Sequence, residues 1–82
     1  MDTVIYRNVT ITNIRVGKMQ REVVINYKAD KFGRDAVGTY ALRSLAKMQK
    51  FIDGCIALGI VTENGEIAGT HSQIDTAMFE VK

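Results

Sequence analysis

Proline and tryptophan are missing from this chain, and cysteine and histidine occur once each, as Cys55 and His71. Without a second cysteine no disulfide closes within the chain. A structural zinc site needs four ligands, and these two residues are the only soft ones. With no proline there is no Pro-rich linker to divide the chain. The longest apolar run, Cys55 to Val61, is too short to cross a bilayer. Met1-Asp2-Thr3 carries neither a basic nor an apolar leader segment, so no secretion signal is expected and Asn8-Val9-Thr10 is a chance sequon. A lone thiol suits a reducing compartment. The expectation is a cytoplasmic (intracellular) protein with no membrane partner.

Catalytic groups are equally scarce. A nucleophile needs a base within reach, and the base needs an orienting partner. His71 stands beside Ser72 and four residues before Asp75, in what reads as a polar surface loop. Cys55 falls on an apolar helical face, where cysteine behaves as a small hydrophobe. Gly33 and Gly38 do not form a phosphate loop. Asp30 and Asp35 have no further oxygen ligands near them in sequence. No enzyme, cofactor or metal is expected.

What is present fits one small domain. Hydrophobic residues make up 46% of the 82, an ordinary globular share. A domain of this size buries only about 60–65% of its unfolded surface, so its core is thin. With disulfide and zinc removed, self-association as a homodimer is the remaining outside support.

Residues 4–16 are rich in Val, Ile and Thr and suit a strand. Ile5, Val9 and Ile11 share one parity and Ile14 and Val16 the other, which places a bulge near Thr12-Asn13. Gly17-Lys18 reads as a turn. In residues 20–29, Val23, Ile25, Tyr27 and Ala29 alternate with Glu22, Val24, Asn26 and Lys28, a strand with one buried face. After a loop at 30–34, Asp35 is a candidate N-cap. A helix is then expected to about Leu58, with Ala41, Leu45, Met48, Ile52 and Cys55 on one face. Gly59 is the expected C′ residue, in preference to a helix end at Gly54. Gly38 and Gly54 inside that helix each cost about 1 kcal/mol relative to alanine. Asn64-Gly65 predicts a two-residue hairpin turn, and Ala77, Phe79 and Val81 alternate as a last strand. The expected fold is α+β, an antiparallel sheet with one central helix on one face, in β-β-α-β-β-β order.

Charge is uneven. Residues 1–50 hold ten of the eleven Lys/Arg and four of the nine Asp/Glu. Arg43, Lys47 and Lys50 fall at i, i+4 and i+7, with Tyr40 one turn earlier, a basic stripe with one aromatic. Phe32 stands near Arg34 in a loop, where an aromatic among cations can stack on a base or fill a partner's pocket. Arg15, Lys18 and Arg21 make the first hairpin basic. The segment Cys55-Ile56-Ala57-Leu58-Gly59-Ile60-Val61, followed by Asn64-Gly65, resembles the helix-end, glycine, strand and wing junction of winged-helix domains. Upstream, two strands stand where that family has a helix-turn-helix.

The pattern reads as a non-catalytic protein-binding module, an inhibitor or adaptor of a larger intracellular machine such as viruses (phage among them) and mobile elements encode. Its binding residues would come from Phe32, Arg34, the basic stripe, the helix face or a sheet edge. The alternative is a nucleic-acid-binding domain using Arg43, Lys47 and Lys50 with Arg15, Lys18 and Arg21. A structural subunit of an assembly is the third reading. A net charge of +2 and the acidic last third favour the first.

Overall fold

The computed structural model describes residues 2–16, 20–31 and 34–81. Among them the order is β1 (Asp2–Tyr6), β2 (Val9–Val16), β3 (Gln20–Lys31), β4 (Arg34–Leu42), α1 (Leu45–Ala57), β5 (Ile67–Thr70) and α2 (His71–Phe79). The α+β class is as expected, but the element order is not. Four strands precede the first helix, and a second helix closes the described chain.

The first difference lies at Arg7-Asn8. Both residues have positive φ, 48° and 76°, so the expected single strand over 4–16 is a tight hairpin whose turn matches the right-handed strand twist. Tyr6 pairs with Val9, Ile5 with Thr10 and Val4 with Ile11. The turn therefore puts Val4 and Tyr6 on the face of Val9 and Ile11, while Ile5 takes the other face and is 71% exposed. The register from Asp2↔Asn13 and from Thr12↔Val24 to Val16↔Gln20 runs unbroken. No bulge interrupts Thr12-Asn13; the change of parity from Val9 and Ile11 to Ile14 and Val16 falls within an unbroken β2. The expected Gly17-Lys18 turn lies outside the described residues.

β3 organises the sheet. Its 12 residues, at about 3.3 Å each, account for the 41 Å longest dimension of the molecule, against 23 Å across. One edge pairs antiparallel with β4 from Val23↔Leu42 to Lys31↔Arg34. The other edge is shared. β2 takes Gln20 to Val24 in antiparallel pairing, and β5 takes Tyr27 to Asp30 in parallel. As its alternation predicts, β3 buries Val23, Ile25 and Ala29, while Asn26, Lys28 and Asp30 are exposed. Asp30, Lys31 and Arg34 belong to strands rather than to a loop. Phe32 lies outside the described residues.

The helix is shorter than expected. Its N-cap is Ser44, not Asp35; the Ser44 Oγ accepts from the Lys47 N–H at 3.3 Å. Residues 34–42 alternate as a strand and contain Val37, Thr39 and Tyr40, good strand formers. Ala41 is therefore an exposed strand residue, and Leu45, at the first turn, is 38% exposed. The buried face is Met48, Phe51, Ile52 and Cys55. The helix runs through Gly54 and ends as expected. Ile60 N–H donates to the Cys55 carbonyl and Gly59 N–H to that of Ile56, with Gly59 at φ 72°. This is a Schellman ending, and it folds Ile60 into the core.

Asn64-Gly65 does close a turn, but of three residues. Gly65 N–H donates to the Thr62 carbonyl and Thr62 N–H to that of Glu66. Gly65 has φ 80° while Asn64 is not left-handed, the pattern of a type I turn with a glycine bulge. Only Val61↔Ile67 bridges across it, so the winged-helix-like junction builds no wing. The expected last strand is α2. Thr70 accepts from Gln73 N–H at 3.2 Å, and the Gln73 Oε1 accepts from Thr70 N–H at 3.0 Å, a reciprocal capping box. Ile74, Ala77 and Val81 are buried. Both helices contribute to one core with the inward residues of β2, β3 and β5, so they cover the same face of the sheet.

Candidate functional site

Among the described residues no helix packs on the opposite sheet face, and the 64–66 loop borders it beside Val24 and Asn26. The registers fix its cross-strand rows. Thr3, Thr12, Val24 and Ala41 form one row, and Asn26 lies opposite Thr39 in the next. Ile5 pairs with Thr10, and Lys28 with Val37. The Thr39 hydroxyl donates to Asn26 Oδ1 at 3.3 Å. Val37 is 74% exposed, and Thr3, Ile5, Thr10, Thr39 and Ala41 also face water. Charge appears toward one end of β3, where Lys28, between Val37 and Ala68, has its Nζ 3.6 Å from Glu66 Oε2. Threonine, valine and isoleucine are there because the strands need them, and a surface of such residues is low in charge at its centre. Protein interfaces have that composition.

Where β2 leaves β3 and β5 has not yet joined it, a cleft opens beside Ile25 and Asn26. Thr10, Thr12, Val24 and Thr39 line it with Asn64 and Glu66. Among the described residues β4 pairs with β3 alone, and its other edge offers backbone N–H and C=O groups to a further strand. Between Asp35 and Arg43 that edge carries no charged residue.

The sequence-predicted residues distribute as follows. Arg15 and Arg21 are directly paired across the β2–β3 ladder. Arg43 follows Leu42, the partner of Val23, so these three arginines come to one end of the sheet. Lys47 and Lys50 are exposed on α1 and border a shallow trough with Tyr6, Ala46, Gln49 and Asp53. Arg43 precedes the helix, so the expected helical stripe reduces to its two lysines. Tyr40 is not on the helix; it lies in β4, half-buried, its ring edge-on to Phe51 at 4.7 Å. That makes it a core residue. Arg34 opens β4 opposite Lys31. Lys18, like Phe32, falls outside the described residues.

A polar cluster fastens the first hairpin to α1. Tyr6 Oη donates to Asp53 at 3.0 and 3.1 Å, and Arg7 Nη1 donates to Asp53 Oδ1 at 3.0 Å. The hydrogen bond to Asp53 raises the Tyr6 hydroxyl above its ordinary value, helped by burial. Asn8 Nδ2 donates to the Glu63 carbonyl at 2.7 Å, so the two turns lie against each other. His71 Nε2 is 3.2 Å from Asp75 Oδ2 on the exposed start of α2. Cys55 is fully buried, and burial pushes its thiol up to about 12, which leaves little nucleophilic thiolate near neutrality. Among the described residues, no group of three or more His, Cys, Asp or Glu side chains is placed to hold a metal ion. No helix there is long and apolar enough to cross a membrane.

Compared with known proteins, the chain matches no family model, no curated protein and no solved structure. Sequence reasoning missed the uncovered face because it read β4 as helix. The alternation of Val37, Thr39 and Ala41 with Ala36, Gly38, Tyr40 and Leu42 was the available signal.

Proposed function

We propose that this chain is a non-catalytic protein-binding module, an inhibitor or adaptor that docks a partner protein on the uncovered face of its sheet. One observation carries the reading: both helices cover one face, and the other presents exposed Ile5, Val37 and Ala41 among threonines around Val24 and Asn26, with Lys28 and Asp30 toward one end. A face of this kind suits a flat protein surface, because burying it strands few charges. The test compares parent and Ile5→Lys/Asn26→Lys as bait in lysate of the native host, with and without nuclease. The expected partner survives nuclease, binds the parent and is lost with the double variant, while Lys47→Gln/Lys50→Gln retains it. A partner insensitive to the face variant would refute the assignment.

A second reading, nucleic-acid binding, rests on the direct pairing of Arg15 with Arg21 and the position of Arg43 at the same sheet end. On this reading, binding of mixed-sequence probes weakens steeply with salt. Replacing Arg43, Lys47 and Lys50 by glutamine then flattens the salt slope by up to about three. Absence of binding by the parent at low salt discards it.

A further inference from the structure

We infer that Asn64 is a site of spontaneous covalent modification: the Gly65 nitrogen closes on its side chain, and the amide becomes aspartate and isoaspartate. The inference does not depend on the partner-binding reading. The chain has four asparagines, Asn8, Asn13, Asn26 and Asn64. Ring closure needs the next residue's nitrogen uncrowded and free to swing toward the asparagine Cβ. Val9, Ile14 and Tyr27 follow the first three, each with a bulky side chain beside that nitrogen. Asn13 and Asn26 are also held in the ladders of β2 and β3, paired with Val23 and Thr39. The amides of Asn8 and Asn26 are engaged, by the Glu63 carbonyl at 2.7 Å and the Thr39 hydroxyl at 3.3 Å. Asn64 alone precedes glycine. It is exposed, in a turn outside every described strand and helix.

The step balances with water as its co-reactant. The Gly65 nitrogen gives its proton to solvent and bonds to Asn64 Cγ. The Cγ–Nδ2 bond breaks, and the amide nitrogen takes up a proton and leaves as ammonia. Water then opens the cyclic imide; its hydroxyl joins one of the two ring carbonyl carbons and its proton goes to the freed nitrogen. Opening at Cγ gives aspartate. Opening at the main-chain carbonyl gives isoaspartate, whose main chain runs through Cβ and Cγ and is one carbon longer. The turn gates the reaction. In a type I turn the Gly65 nitrogen eclipses the Asn64 nitrogen rather than its Cβ, and its N–H is held by the Thr62 carbonyl at 3.0 Å. The Asn64 Cα–C bond must rotate first, which breaks that hydrogen bond. Asn64 and Glu66 line the same cleft beside Asn26, so either product sets a second carboxylate there. The longer main chain of isoaspartate also displaces Gly65 from the Asn8 carbonyl it lies against.

Incubation of the full folded chain at mildly alkaline pH, then digestion in acid and mass spectrometry, tests this. The peptide holding residue 64 is expected to take on the mass of acid over amide before the other three asparagines change. It is also expected to separate on chromatography into two forms of one mass, aspartyl and isoaspartyl. An Asn64 that converts no faster than Asn8, Asn13 and Asn26 would overturn the inference, and a single aspartyl form would refute ring closure as the route. Unfolding in urea is expected to speed the conversion, because the turn then no longer holds the nitrogen; an equal rate would refute the gate. Asn64→Asp carries the new charge without the extra carbon and is expected to keep the parent's urea midpoint, while the isoaspartyl chain unfolds at lower urea. Equal midpoints for those two would refute the displacement of Gly65.

Discussion

Gly65 and Gly59 are both left-handed, at φ 80° and 72°, and their alanine variants separate a backbone effect from a packing effect. A side chain in this conformation costs about 1–2 kcal/mol. At Gly59 an added Cβ meets nothing within 4 Å, so that is the whole cost. At Gly65 the Cβ would run into the backbone carbonyl of Asn8. This neighbour is not the tip of a flexible side chain. It belongs to a turn held by Asn8 at φ 76° and by the Asn8–Glu63 hydrogen bond of 2.7 Å. One turn must lift off the other, which adds roughly 1–3 kcal/mol, the range of an overpacked site. Gly65→Ala is thus expected to lose about 2–5 kcal/mol in all. Urea denaturation at one temperature, with an unchanged m-value, reads both variants. In a domain of this size each kcal/mol also lowers Tm by about 4–8 °C. Equal losses in the two variants would refute the docking of the two turns.

Phe51→Ala or Ile52→Ala is expected to cost about 2–5 kcal/mol, because both side chains are fully buried. Leu45→Ala should cost under about 1 kcal/mol, since its site is partly open; a reversed order in urea midpoints contradicts the helix orientation. Thr70→Ala removes one arm of the α2 capping box and is expected to cost about 1 kcal/mol, with hydrogen exchange accelerated in α2 before α1. The thiol of Cys55 should react with a disulfide reagent at pH 8 only on unfolding. Its folded value of about 12 exceeds the ordinary 9.0, so between them the unfolded chain has released a proton that the folded chain keeps. Stability is whole below pH 9 and falls as pH rises toward 12, by at most about 1.4 kcal/mol per unit from this group. Tyr6 and Tyr40, both raised, act in the same direction. Cys55→Ala should make the alkaline decline shallower, and an unchanged decline would exclude the thiol as its source.

Features decided within a few residues were legible. Gly59 ends the helix because no neighbouring tertiary contact is needed to favour glycine there, and the alternation of β3 is its own signature. The start of α1 was not, because Ala41 and Leu45 extend the helical spacing by chance while Val37, Thr39 and Tyr40 carry an equally local strand preference. Only β3, which needs a partner along its length, resolves the conflict. The Arg7-Asn8 turn has no glycine to announce it, and the arginine there is held by Asp53 from a distant helix. Ala77, Phe79 and Val81 alternate, but Ile74, Ala77 and Val81 also recur as on a helix, and Thr70 with Gln73 was the readable tie-breaker. The uncovered face became visible only with β4 in place. Of the expected binding residues, Arg15, Arg21 and Arg43 come to one end of the sheet. Tyr40 went to the core.

The divided edge of β3 also has a consequence in time. A ribosome delivers β1 to β4 first, so the meander can close while Tyr27 to Asp30 still lacks the neighbour that only Ile67 to Thr70 supplies. Until α1 and β5 emerge, the nascent sheet exposes that stretch of backbone together with the apolar side of Val9, Ile11, Val23 and Ile25. This is the interval in which the growing chain is most open to wrong pairing with another strand. Completion waits for a contact some forty residues away in sequence, a long loop whose closure is slow compared with the local hairpins before it.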